Sequence, residues 1–308
     1  MDTRSIVISD EIVGQDDLAK LRSAQVRQFG SDLSERLNCP ADILYVHEYW
    51  EALGRRHSSL EEQRKVIEKD KEKFAPLLKE LKNPGKLVVK LGIPVNEIIK
   101  HTRQNHKLEA LVMGSRSRVG LEHFFLGSVA EEVVRSIKRP IFILGPEAQK
   151  AQYRLASKKE LTFLVATDLS KKCRAVETYA VSLAQKLGAK IVFYYSLADS
   201  LDSAQQYVNF SGEVISSFDS IFEDIKKEAF DGIKKKAERV ERKGVKTEWH
   251  VEENPGTFVE TLLNGKGKEA DLIFMGNQTY GSFVTALLGS NVRDAIGKAK
   301  VPVVIVRS

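Results

Sequence analysis

Cysteine is scarce: only Cys39 and Cys173 occur in 308 residues. Their spacing matches no zinc or redox motif. Both read as buried or inert thiols, in or just after the first helix of a repeat. Histidine is scarce too. His47, His57, His101, His106, His123 and His250 include no pair at helical or strand spacing with a third ligand, so packing accounts for them better than metal binding. No apolar run approaches the ~20 residues of a membrane span. The start, with the short apolar run Ile6-Val7-Ile8, has no signal-peptide hydrophobic segment. A reducing cytoplasm is therefore the expected compartment. No Walker sequence, nucleophile elbow or HExxH motif is present.

No charge of one sign dominates. The net charge of +6 arises from 48 Lys and Arg against 42 Asp and Glu. The signs are intermixed, as in Glu61-Glu62-Gln63-Arg64-Lys65 and Lys234-Lys235-Lys236-Ala237-Glu238-Arg239. Such runs are solvated helix faces. A nucleic-acid footprint needs basic residues gathered on one face beside stacking or readout groups, so neither nucleic acid nor membrane is an expected partner.

What the chain does contain is a repeat. Gly114 to Gly127 is 13 positions, as is Gly276 to Gly289; Gly127 to Pro140 is 13, as is Gly289 to Pro302. Ser128 and Ser290 each follow the later glycine. Upstream, Leu164-Val165-Ala166-Thr167-Asp168 resembles Ile6-Val7-Ile8-Ser9-Asp10. Asp10 to Gly114 is 104 positions and Asp168 to Gly276 is 108, which leaves four extra residues for a loop or the long second helix. Two domains follow, residues 1–146 and 160–308, joined by a polar, alanine-rich linker at 147–159. At 42% hydrophobic content there is material for two cores.

Within each repeat the predicted strands are short continuous apolar runs, the mark of a parallel sheet covered on both faces. Helical patterns separate them. Ile215, Phe218, Phe222, Ile225, Ala229, Ile233, Ala237 and Val240 recur at three- and four-residue steps. Leu60, Ile67, Phe74, Leu77, Leu78 and Leu81 form a similar stripe, which Pro76 should kink or break. The expected fold is α/β: two tandem Rossmann-like or flavodoxin-like doubly wound domains, each with a mostly parallel five-stranded sheet. Ligands of such folds bind beyond the carboxyl ends of the strands, where strand order switches. Asp10, Asp168 and both glycine loops fall at that edge.

The chemistry of those residues is coherent. Glycine lets backbone amides approach an anion, and a helix N-terminus offers unpaired N–H groups and a favourable dipole to phosphate. Ser128 and Ser290 add hydroxyls. An aspartate ending the first strand can bond ribose hydroxyls. The bland alternative for Gly127-Ser128 and Gly289-Ser290 is a plain helix start, and Asp10 can equally mark a turn.

Gly114, Gly127, Ser128 and Val129 in one half, and Gly276, Gly289, Ser290 and Asn291 in the other, resemble the universal stress protein family. Its ATP-binding members carry Gly, two residues, Gly, nine residues, then Gly-Ser or Gly-Thr. The second motif glycine is Ser117 in the first half and Thr279 in the second; a side chain there either closes the path of a triphosphate or donates a hydroxyl to it. Arg116 and Arg118 flank Ser117, where they can pair with phosphates, whereas Gln278 and Tyr280 flank Thr279. The first half is the better phosphate site and the second has the less polar adenine end. The family's aspartate falls on Asp10 and Asp168. Its apolar adenine contact falls near Glu48 or Ser196.

The resemblance implies a cytoplasmic sensor or regulator that binds ATP or another adenine nucleotide, with or without Mg²⁺, and has at most weak ATPase activity. It also implies an internal pseudo-dimer, with Pro140–Leu144 against Pro302–Val306. A homodimer and an unidentified protein partner are left open. The alternative is a nucleotide-free scaffold acting through protein partners. An enzyme of the wider adenine-nucleotide α-hydrolase-like group is disfavoured, because HIGH-type and PP-loop motifs are absent.

Overall fold

The computed structural model describes residues 4–12, 17–49, 59–115, 126–198, 216–254, 256–276 and 288–307. Two compact units divide the chain. One comprises residues 1–159 with 277–307, and the other comprises 160–276. Sequence repeats and compact units differ because the last helix and strand of the second repeat pack within the first unit.

In the first unit, chain order gives β1 (Ser5–Asp10), α1 (Asp17–Leu37), β2 (Ala41–Glu48), α2 (Leu60–Phe74), β3 (Pro84–Gly92), α3 (Pro94–Gln104), β4 (Leu108–Gly114), α4 (Ser128–Ser136), β5 (Ile141–Leu144) and α5 (Pro146–Lys150). The late elements α9 (Ser290–Lys298) and β10 (Val303–Val306) complete it. The strand order is β3-β2-β1-β4-β5-β10. The first five strands are parallel. Antiparallel β10 pairs Val304 with Phe142 on β5, joining the last strands of the two repeats. Ile6, Val7 and Ile8 of β1 and Ile141 to Leu144 of β5 are essentially buried, as two-sided coverage requires.

Local chemistry sets the helix ends. Ser59 and Glu62 form a reciprocal capping box at the start of α2. The helix stops at Phe74, and Pro76 lies in a 3₁₀ turn over Ala75–Glu80, the break that its missing N–H predicts. Phe74 packs edge-on against Tyr45, with Val89 and Ile67 beside them. Leu60 departs from the expected stripe: it is 74% exposed, at the first helical position beyond the cap. The connector is packed rather than loose. Pro146, Ala148, Gln149, Tyr153 and Leu155 are buried. Asp32 of α1 accepts from the Ala156 amide at 3.1 Å, and Arg36 donates to the Leu155 and Lys158 carbonyls.

The second unit has β6 (Thr162–Ala166), α6 (Arg174–Leu187), β7 (Lys190–Ser196), α7 (Ser216–Glu241), β8 (Thr247–Glu252), α8 (Phe258–Asn264) and β9 (Leu272–Gly276). Its strands run parallel in the order β9-β6-β7-β8. Phe163, Phe193, Tyr194 and Phe274 are fully buried, and Ala229, Ile233, Ala237 and Val240 give α7 its inner stripe. Gly188 ends α6 in the left-handed region at φ +66°, which glycine adopts without a Cβ penalty. Cys173 ends a 3₁₀ turn immediately before α6, so it precedes its helix instead of lying in or after it.

Candidate functional site

In the first unit the strand order turns at β1, with β2 on one side and β4 on the other. A doubly wound sheet leaves its crevice at that point. A cavity of about 530 Å³ opens there, within the ~300–1,000 Å³ range of small-ligand sites. Its wall includes Asp10 from the end of β1, Gly114 from the end of β4, and Gly127, Ser128 and Val129 at the start of α4. Five candidate residues from three distant segments therefore meet in one wall. Arg116 and Ser117 lie outside the described residues.

Each component has a local cause. Gly114 closes β4 where an added Cβ would come 2.9 Å from Val26 Cγ2, so the crevice depends on the missing side chain. Gly127 is the N-cap of α4 and makes no side-chain capping bond. The first intrahelical bond is donated by Glu131 to the Gly127 carbonyl, which leaves the amides of the preceding turn facing outward in the usual way of helix starts. Ser128 is exposed. Val46, Ile93, Val95 and Ile98 supply apolar wall. Val46 is an apolar residue two positions before the end of β2. Glu48, two residues on and exposed, also lines the cavity.

Asp10 is present but engaged. Its side chain is 1% exposed. Oδ1 accepts from the Ser23 hydroxyl at 2.5 Å and Oδ2 from Arg27 Nη1 at 2.7 Å. Arg27 Nε donates to Glu80 at 2.9 Å. Burial pushes the Asp10 carboxyl above its ordinary value, against the pull of Arg27 and Ser23. Burial also works against the Arg27 charge, but Asp10 and Glu80 prevail and raise its pKa. The occupied carboxylate oxygens and the 2.7 Å contact are those of an ion pair. The next residue, Glu11, is an exposed carboxylate on the wall, 3.5 Å from Arg22 Nη2. Glu11, Arg22, Ser23 and Val46 are cavity residues that sequence reasoning missed. No motif marks them: Arg22 and Ser23 come in on α1, Val46 on β2, and Glu11 directly follows β1.

The second repeat distributes its candidates. Asp168 and Gly276 stand in the second unit, Asp168 two residues beyond β6 and Gly276 closing β9. Gly289, Ser290 and Asn291 stand in the first unit, at the start of α9, where Gly289 is the N-cap. Arg293 donates to the Leu288 carbonyl at 2.8 Å and fixes that entry. Thr279 lies outside the described residues. Asp168 is exposed and accepts from the Ser170 amide at 2.9 Å and from Cys173 Sγ at 3.0 Å. Leu169 after it has φ +62°, an uncommon conformation for a branched side chain. The Thr167 hydroxyl, accepting from the Leu169 amide at 3.0 Å, holds this turn.

The strand registers refine the repeat. Ser9 pairs with Met113, so Asp10 stands level with Gly114. Val165 pairs with Phe274, so Thr167, not Asp168, stands level with Gly276. Thr167 also has a buried ionic partner set: its hydroxyl donates to Glu177 at 2.6 Å, and Lys236 donates to the same carboxylate. Among the described residues no group of three or more His, Cys, Asp or Glu gathers to hold a metal, and no helix is long and apolar enough to cross a membrane.

Comparison with known proteins gives a consistent picture. The Universal stress protein family matches residues 13–145 and 161–307. Universal stress protein Sll1388 of Synechocystis sp. is 27% identical over 149 residues, covering 47% of this chain and 96% of that protein. Universal stress protein MJ0577 of Methanocaldococcus jannaschii is 31% identical over 83 residues, 26% of this chain and about half (51%) of that protein. The crystal structure of a universal stress protein from Archaeoglobus fulgidus superposes with a TM-score of 0.67 at 19% identity, covering 100% of this chain and 99% of that one. At that identity the likeness carries the fold alone: two tandem α/β domains of doubly wound type.

Proposed function

The chain belongs to the universal stress protein family, and on that premise we propose that it binds an adenine nucleotide in the cavity of the first unit and acts as a sensor or regulator. The observation that carries this reading is the meeting of Asp10, Gly114, Gly127, Ser128 and Val129 in one cavity wall. The fit rests on two features: a crevice that a Cβ at Gly114 would crowd, and a buried Arg22 Nε without an acceptor. The base lies against Val46, Ile93 and Ile98. The phosphates lie at the glycine end, on the amides that begin α4, where the helix dipole favours negative charge. Glu11 is better exposed than Asp10 to meet a ribose hydroxyl, and Asp10 shapes the floor through Ser23 and Arg27.

Asp168, Gly276, Thr279, Gly289, Ser290 and Asn291 are proposed as the corresponding nucleotide residues of the second repeat, and Arg116 and Ser117 as further phosphate contacts of the first. Binding rather than turnover is assigned: Asp10 and Glu11 each sit beside an arginine, which suits neither to general-base work. The cytoplasm is the proposed compartment.

The test is to denature purified protein, identify released small molecules by mass spectrometry, and titrate the emptied, refolded chain with ATP, ADP and AMP, with and without Mg²⁺. Released adenine nucleotide near one or two per chain, or saturable binding, supports the reading. An empty protein that binds none of the three at millimolar concentration refutes it and leaves the scaffold reading.

A further inference from the structure

We propose that Arg22 is the anion-contacting residue of the first-unit cavity, held beside Glu11 until a phosphate takes the place of that carboxylate. The proposal rests on the nucleotide reading and deepens it, by naming the residue that separates phosphorylated ligands from nucleosides.

Two arginines five positions apart on α1 behave differently. Arg27 is engaged: its Nη1 and Nε donate to Asp10, Ser23 and Glu80. Arg22 is less so. Its side chain is 18% exposed and lines the same cavity as Gly114, Gly127 and Ser128. Its stem lies over Gly114, where an added Cβ would come 3.4 Å from Arg22 Cγ. Its Nε is buried and has no hydrogen-bond partner. Buried donors are nearly always paired, and an unpaired one is costly. Nη2 stands 3.5 Å from Glu11 Oε2, longer than an N–H···O hydrogen bond, and Glu11 is 45% exposed. Such an exposed, long pair is weak, so Glu11 yields readily to a stronger acceptor.

A phosphate supplies what Arg22 lacks. The guanidinium presents its donors in a planar fork that matches two phosphate oxygens, and Nε is one of those donors. The cavity then holds an anion between the Arg22 fork on α1 and the amides that begin α4.

Isothermal titration of the full chain tests this with four probes: ATP, AMP, adenosine and inorganic tripolyphosphate. Arg22→Gln is expected to weaken ATP and tripolyphosphate about 10- to 100-fold, as for loss of a charge-assisted hydrogen bond, while adenosine changes less than about threefold. If both repeats bind, only one of two sites is lost. Arg22→Lys keeps the charge without the fork and falls between. Glu11→Gln releases Arg22 and tightens tripolyphosphate, which has no ribose to meet Glu11, several-fold. Circular dichroism melts establish that each variant is folded.

ATP affinity unchanged in Arg22→Gln overturns the proposal while the nucleotide reading stands. An equal loss for adenosine and ATP also overturns it, because a structural role would do the same. Tripolyphosphate binding that depends on Arg22, with no effect of the adenosine moiety, upholds the proposal and overturns the nucleotide reading. Binding of none of the four overturns both.

Discussion

Replacing Arg27 by Met removes the cation from a carboxylate that has almost no solvent. Asp10 is 1% exposed, and Ser23 is then its only remaining side-chain partner among the described hydrogen bonds. Breaking one side of a buried ion pair leaves an uncompensated charge, at about 3–5 kcal/mol. The Glu80 contact adds little, because Glu80 is 52% exposed. The pH dependence has a definite sign. Burial already holds the Asp10 carboxyl above its ordinary value. Its contribution is therefore complete below the unfolded pKa and is lost as pH rises through the folded one. Removing Arg27 raises the folded value further, so the deficit of Arg27→Met is largest at neutral pH and shrinks toward pH 4. The assay is hydrogen exchange read by mass spectrometry on peptides of β1 and α1, with β7 as internal reference, after correction for intrinsic exchange. The expected acceleration at pH 7 is roughly a hundredfold to a few thousandfold, at tenfold per 1.4 kcal/mol. Asp10→Asn combined with Arg27→Met should recover most of it. An Arg27→Met protein exchanging like wild type, or a double variant no slower than the single one, would refute the ion-pair account.

Gly145→Ala should destabilise the first unit by about 3 kcal/mol, because a Cβ there would overlap the Ile296 carbonyl oxygen, a backbone atom that cannot swing aside; unchanged exchange in β5 and α9 peptides would contradict this. Cys173 should resist alkylation in the native protein at pH 8 while Cys39 reacts, since burial first and Asp168 second push the Cys173 thiol up to about 11 and Cys39 is only partly buried; mass mapping that finds both thiols modified at equal rates would sink the argument.

Much of the fold was legible because the signals are local. Short continuous apolar runs, Pro76 ending α2, Pro94 opening α3 and glycines ending β4 and β9 all act within a few residues of chain. Local signals also misled. Leu60 carries the right spacing for the buried stripe, but it sits in the first turn beyond the Ser59 cap and reaches solvent. The connector reads as polar, yet Leu155 and Tyr153 are buried, because scattered apolar residues suffice when a neighbouring helix supplies the other face. Val46 lines the cavity along with Glu48, and no local sequence feature marks it.

By itself the sequence determined the duplication, the order of strands and helices, and the glycine positions that end strands and begin α4 and α9. Those follow from spacing and from the conformational limits of glycine and proline. Only the tertiary structure decided which side chains share the crevice. Strand pairing sets Asp10 level with Gly114 and Thr167 level with Gly276, so equal-looking aspartates occupy different positions. The packing of α1 on β4 brings Arg22 over Gly114 and leaves its Nε without an acceptor. Register and helix packing arise from hydrogen bonds and contacts between segments some hundred residues apart, and no single stretch of the chain encodes them.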